Sequence, residues 1–193
     1  TCFYVYVSKD NSSGHPDGFL GVNVDDTIFA GNEKFHTNVM DPLMKAYKMG
    51  KIDTHEMDFC GLHINQDPKT KETVIDMDDY IRNMSNSVSS KKENKQHPEG
   101  ISTFGRKPTE SLRPAEVQAF RMPLGECMWV TSQLAATYSF DVSDIAQRMS
   151  IAIVAEVTAL QVVIDSLKNA PPRHCFRKLP GGISDIAVLT YND

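Results

Sequence analysis

Apolar residues along the chain change rhythm several times, and each change predicts an element. Cys2 to Val7 is a run of aromatic and β-branched residues; Ser8 to Gly18 is dense in Asn, Ser, Gly, Pro and Asp; Phe19-Leu20-Gly21-Val22 then resumes the apolar run. That order predicts a β-hairpin, because such side chains suit a pleated, half-buried surface and the polar cluster interrupts it. A second apolar segment, Thr27 to Ala30, follows Asn23-Val24-Asp25-Asp26 directly, so a tight turn is expected at the aspartates. Beyond Asn32, a suitable N-cap, Phe35, Val39 and Leu43 recur at helical spacing, with Met40, Met44 and Tyr47 widening the stripe. Gly50 is expected to stop this helix. Pro42 is expected to kink or split it, since it lacks a backbone donor.

The stretch from Met57 to Ile64 reads as one strand carrying Phe59, Leu62 and Ile64, with a turn at Asp67-Pro68-Lys69-Thr70 and a returning strand at Thr73-Val74-Ile75. Asp78-Asp79-Tyr80-Ile81 looks like the acidic first turn of a short helix ending near Asn86. Residues 85–114 are rich in Ser, Lys, Glu, Asn and Pro with almost no apolar periodicity, which predicts a long exposed connector. Helices are expected over roughly 115–136, 142–149 and 151–168, the last with Ile153, Val157, Leu160, Ile164 and Leu167 on one face and Pro171-Pro172 beyond its end. Ile186 to Tyr191 reads as a final strand. The fold class expected is therefore α+β: a small antiparallel sheet from two hairpins with a packed helix, then a helical region.

Composition bounds this picture without altering it. A chain of 193 residues with 40% hydrophobic residues is ordinary for a globular protein. Cys2, Cys60, Cys127 and Cys175 are far apart and form no Cys-x-x-Cys pair, which suggests neither a zinc knuckle nor a disulfide framework and fits a reducing, intracellular setting, cytoplasmic or nuclear. No apolar run reaches bilayer length and no signal-peptide pattern opens the chain, so no membrane partner is expected. The net charge of −5 and pI near 5.7 run against a nucleic-acid binder, which usually carries a basic balance. A local basic set, Lys91, Lys92, Lys95, Arg106, Lys107 and Arg113, falls in the connector and reads as a solvated linker.

The candidate chemistry rests on Asp25 and Asp26. Adjacent carboxylates in a turn can approach one pair of divalent cations, and Mg²⁺ or Mn²⁺ prefers such hard oxygen donors. On the dipeptide alone a polar β-turn is the simpler reading. Other constellations fall away. His55-Glu56 has no second histidine at metalloprotease spacing, Gly181-Gly182 lacks a phosphate-loop pattern, and His174-Cys175 has no partner motif and reads as a partly buried surface pair. His63 is read as outward-facing. Trp129 with Met122 and Met128 reads as helix core.

Context then changes the weight of the aspartates. Gly21-Val22-Asn23-Val24-Asp25-Asp26-Thr27-Ile28-Phe29-Ala30-Gly31 resembles the Tyr-Val-Asp-Asp hairpin of copia-type retrotransposon reverse transcriptases. In the same order follow Tyr47-Lys48-Met49-Gly50, then Phe59-Cys60-Gly61-Leu62-His63-Ile64, which is similar to that family's primer-grip strand, and Tyr80-Ile81. Phe120-Arg121-Met122-Pro123-Leu124-Gly125-Glu126-Cys127-Met128-Trp129, Ser139-Phe140-Asp141-Val142-Ser143 and Ala146-Gln147 resemble later blocks, so the likeness covers nearly the whole chain.

The resemblance implies residues 1–84 as a partial palm, 85–114 as the polar linker, 115–185 as a helical connection region, and 186–193 as the first strand of a truncated ribonuclease H-like domain. It implies Asp25 and Asp26 as two of three metal-binding catalytic carboxylates, with Mg²⁺ or Mn²⁺ as cofactor, and Gly61 and Leu62 as primer-grip positions. Lys48 or Lys51 would stand near the leaving phosphate, although a solvated helix end is the simpler reading for both. Asp193 would be the first ligand of the truncated ribonuclease H site. The implied activity is RNA-directed DNA polymerisation, with an RNA or DNA template-primer duplex, deoxynucleotides and the rest of a polyprotein as partners. The family's third aspartate and its fingers lie upstream, so the resemblance implies a fragment or degenerate copy, inactive alone; the alternative is a non-catalytic interaction protein with a structural Asp-Asp turn. Departures from the family are Asn23 for its tyrosine, Cys60 for an aliphatic residue, Pro123 inside a helix, and a shortened segment at Thr137-Tyr138.

Overall fold

The structure is a computed structural model that describes residues 2–12, 14–24, 26–47, 50, 52–89 and 100–177. The fold is α+β, with antiparallel strands and helices in two compact units. The first unit takes in the described residues up to Thr73 together with Arg177, and the second spans Val74–Phe176, the boundary falling after the first residue of a strand. No helix among the described residues is long and apolar enough to cross a membrane. The expected strand at 186–191, Asp193 with it, lies outside the described residues, as do Asp25, Lys48, Lys51, Lys91, Lys92, Lys95 and Gly181-Gly182.

In the first unit, strands β1 (Cys2–Tyr6), β2 (Gly18–Asn23) and β3 (Asp26–Gly31) form a sheet in that order. Cys2 pairs with Val22 and Gly18 with both Tyr6 and Gly31, as the alternation of apolar runs and turn residues requires. The helical segment after β3 starts at its expected cap: the Asn32 side-chain oxygen accepts the backbone N–H of Phe35 at 3.1 Å. It comprises α1 (Glu33–Phe35), a π-helical turn over His36–Met40, and α2 (Asp41–Ala46). Pro42 explains the division. A prolyl ring clashes with the carbonyl four residues back and supplies no donor, and the widened turn, in which Asp41 N–H reaches the His36 carbonyl, opens the ladder just ahead of it. The helix ends at Ala46, before Gly50, because Tyr47 turns to extended backbone (φ −125°, ψ 138°).

Phe35 fixes this helix to the sheet. It is 1% exposed and packs with Leu20 and Met40, flanked by Tyr6, Val22, Phe29, Val39, Leu43 and Met44. Gly18 and Gly31 provide its seat, for a Cβ on either would lie 2.2 or 2.3 Å from ring atoms of Phe35. Burying one phenyl side chain in this way contributes about 1.5–3 kcal/mol.

The expected strand from Met57 to Ile64 is instead a hairpin. β4 (Glu56–Phe59) turns through Cys60 and Gly61 into β5 (Leu62–Gln66), with Phe59 paired to Leu62. Cys60 and Gly61 both take positive φ, +53° and +78°, the backbone a two-residue primed turn demands. The turn at Asp67 forms as expected: its side-chain Oδ1 accepts the N–H groups of Lys69 and Thr70, both at 2.7 Å.

In the second unit, β6 (Thr73–Asp76) leads to α3 (Asp78–Asn83), and a core gathers around α4 (Pro114–Gln133), α5 (Ser139–Gln147) and α6 (Val154–Asn169). α6 buries Val157, Leu160, Ile164 and Leu167, the face its spacing predicts; α4 buries Phe120, Leu124, Cys127 and Val130 and runs through Pro123 without a break. Trp129, Met122 and Met128 are not core: they are 39%, 50% and 49% exposed. His174-Cys175 is an exposed pair within a strand not foreseen, β7 (Arg173–Phe176), a neighbour of β6. Parts of the expected connector are also tied down. Ser87 donates to the Val157 carbonyl at 2.8 Å, Gln161 accepts from Ser87 and Val88 N–H, and Ile101 and Leu112 are buried. Apolar residues that few needed no periodicity to find a core.

Gly31→Ala is expected to unseat Phe35 and destabilise the protein by about 1–3 kcal/mol, as other forced overpacking does. Urea denaturation checks it; an unchanged midpoint would mean that the seat can yield.

Candidate metal and nucleic-acid hairpins

β2 and β3 bring the Asp-Asp dipeptide to a hairpin tip. Asn23 pairs with Asp26, so the loop between them is Val24 and Asp25 alone. Val24 sits at φ +55° and is 94% exposed. A β-branched residue in that conformation is strained by about 1–2 kcal/mol, and here no packing offsets it. Asp26 opens β3 with an exposed side chain, so its hard oxygen donors are accessible to a hydrated cation. That donor chemistry fits Mg²⁺ or Mn²⁺. No group of three His, Cys, Asp or Glu able to hold a metal occurs among the described residues.

Behind the hairpin lies a carboxylate that sequence reading passed over as loop. Asp17 is 7% exposed and carries a dense set of donors. Its Oδ2 accepts from Ser8 N–H at 2.7 Å, Ser8 Oγ at 2.8 Å and Asn11 Nδ2 at 2.9 Å, and its Oδ1 accepts from Asn32 Nδ2 at 2.8 Å. The Ser8 backbone N–H above all, with the Asn32 amide and the Ser8 hydroxyl, holds this carboxyl far below its ordinary value of 3.8. Asp17 thus joins the β1–β2 loop to the helix cap at Asn32. Lys34 pairs with Asp10 across the same loop at 2.6 Å. The only signal for Asp17 in the sequence was an aspartate in a Ser/Asn-rich stretch.

The second hairpin places Gly61 in its turn and Leu62 as the first residue of β5. His63 is half-buried between two carboxylates of β4, with Nδ1 3.0 Å from Asp58 and Nε2 3.7 Å from Glu56. The carboxylates stand at opposite ring nitrogens, an arrangement that orients the ring and does not converge on one cation. In the second unit, Cys127 is fully buried, and burial pushes its thiol up to about 12, so it packs as an apolar side chain and is no nucleophile. Comparison with protein-family models, curated proteins and solved structures finds no match to this chain.

Val24→Asn, which keeps a side chain yet tolerates the left-handed region, is expected to raise stability by about 1 kcal/mol; equal or lower stability in urea would mean that Val24 is not strained. Asp17 should govern acid sensitivity. Its folded value lies below its unfolded one, so its stabilisation is complete above the unfolded value and is lost as pH falls through the folded one. The gap in denaturation midpoint between the native chain and Asp17→Asn is therefore expected to be full at neutral pH and to narrow progressively as pH falls below about 4. A gap that ignores pH would sink the assignment.

Proposed function

We propose that this chain is the late palm and connection portion of a copia-type retrotransposon reverse transcriptase, an RNA-directed DNA polymerase. The observation that carries the reading is the first unit's layout: an Asp-Asp dipeptide at a two-residue hairpin tip between apolar strands, backed by a helix seated through Phe35, and followed by a second two-residue hairpin at Cys60-Gly61. These positions carry the family-like motifs in family order.

On this reading Asp25 and Asp26 hold divalent cations, and Asp26, exposed at the start of β3, is open to a primer terminus and an incoming deoxynucleotide. Mg²⁺ or Mn²⁺, when bound, would lower the cost of developing charge at the attacking and leaving oxygens. Gly61 and Leu62 would support the primer end from the second hairpin, where the turn backbone, having no bulky side chain at Gly61, permits close approach. The family's site needs a third carboxylate, so two aspartates alone give weak chemistry. The role of Asp193 as a ligand of a ribonuclease H-like site belongs to the same proposal. One feature favours the rival reading of a structural turn in a non-catalytic interaction protein: aspartate is a common residue of polar turns with no metal involved.

Titration calorimetry with Mg²⁺ or Mn²⁺ separates them. Micromolar binding abolished by Asp25→Asn/Asp26→Asn, together with primer extension on adding the family's upstream palm and fingers in trans, is the expected outcome. Weak binding indifferent to the substitutions, with no extension in trans, would replace the polymerase by the structural turn.

A further inference from the structure

The outer face of α4 carries large apolar side chains in solvent. Met122, Met128 and Trp129 stand 50%, 49% and 39% exposed on a helix whose opposite face is core. Gly125 lies among them with open space where a Cβ would be. Arg121 is exposed on the same face. A mid-helix glycine weakens a helix by roughly 0.5–1 kcal/mol relative to alanine, yet it lets another helix approach closely, and thioethers with a tryptophan make an adaptable apolar contact.

We infer that this face is an isologous interface at which α4 pairs antiparallel with α4 of a second copy, crossing at Gly125. The sequence around that glycine supports a two-fold axis. By helical periodicity Met122 and Trp129 lie on one side of Gly125, and Arg121 and Met128 on the other. An antiparallel pair related by a two-fold axis beside Gly125 brings Trp129 against the partner's Met122, a favourable sulfur–aromatic contact. The same axis brings Met128 against the aliphatic stem of the partner's Arg121. At the ends Gln118 meets the partner's Ser132, polar against polar. Each residue finds a compatible neighbour, and the two arginines are kept apart by the methionines between them. A helix pair of this length buries less than the ~800 Å² per partner of a standard interface, so the dimer is expected to form only as concentration rises.

Met128 provides a test whose sign is set by this geometry. Met128→Glu places a carboxylate beside the partner's Arg121 and is expected to tighten dimerisation several-fold, whereas Met128→Lys should weaken it by about tenfold or more. Non-specific association of a chain with net charge −5 would change in the opposite order. Gly125→Leu favours the helix and fills the crossing point, so it should leave the chain at least as stable and monomeric. Sedimentation equilibrium of the full chain and the three variants, over about a hundredfold range of concentration, reads all of these. A chain that stays monomeric throughout, a dimer unaffected by Gly125→Leu, or the reverse order for the charged variants would each overturn the inference.

Discussion

Phe35 occupies the space that Gly18 and Gly31 leave open, and the first unit is arranged around that contact. The two glycines are themselves cross-strand partners, so the ring lies over a paired position of β2 and β3 where neither strand carries a side chain. The hairpin that carries the aspartates can therefore take its helix at close range, with Leu20 and Met40 completing a dry cluster. The polar network begins where the ring ends. Asn32 caps the helix through one side-chain atom and donates to Asp17 through the other, and Asp17 holds the long β1–β2 loop. A single helix start thereby sets the position of the sheet, the loop and the base of the Asp-Asp hairpin.

The second unit solves a similar problem with charge. α4 and α6 both begin with a glutamate at the third helical position reaching back to the N–H ahead of the helix, Glu116 to Arg113 and Glu156 to Ile153. Each carboxylate also meets an arginine from a preceding turn, Arg106 at 2.8 Å and Arg148 at 3.1 Å. The two starts are stitched together by Leu112 N–H to the Ala152 carbonyl and Val154 N–H to the Glu110 carbonyl, both 3.0 Å. Two helices thus enter the core in fixed register. α4 consequently buries one stripe and presents the other, which is why its methionines and tryptophan end up outside.

Much of this was legible in advance. The three strands of the first sheet, the cap at Asn32, the disruption around Pro42 and the buried face of α6 all follow from periodicity and turn chemistry acting locally. The failures share a cause, since they turn on which partner a segment meets. Phe59, Leu62 and Ile64 read as one strand because Cys60 is not a turn residue by habit; only Gly61 marked the reversal. Trp129 read as core by residue type, although its neighbours at helical spacing, Gly125, Glu126, Ser132 and Gln133, are small or polar and mark an outward stripe. Ser87 and Leu112 looked like connector because their apolar and polar partners lie tens of residues away on α6 and its approach. Of the candidate site, sequence located the Asp-Asp tip and its flanking strands; it missed Asp17, whose importance depends on donors that only folding assembles.

The hairpin tips of the first unit share one further property. In each two-residue loop the first position takes positive φ and is filled by a residue that gains nothing from it, Val24 in one and Cys60 in the other. Asparagine or glycine would serve the backbone better at both. Val24 projects into solvent, so no buried contact returns what its backbone costs. Strain that packing does not repay is ordinarily lost unless the position is held for another reason. Both tips fall on the motifs that resemble a polymerase's metal and primer sites, where side-chain identity would answer to a nucleic acid as well as to the fold. A merely structural turn gives no such reason for valine, which makes the choice of residue at position 24, more than the aspartates beside it, the point where the two readings of this hairpin diverge.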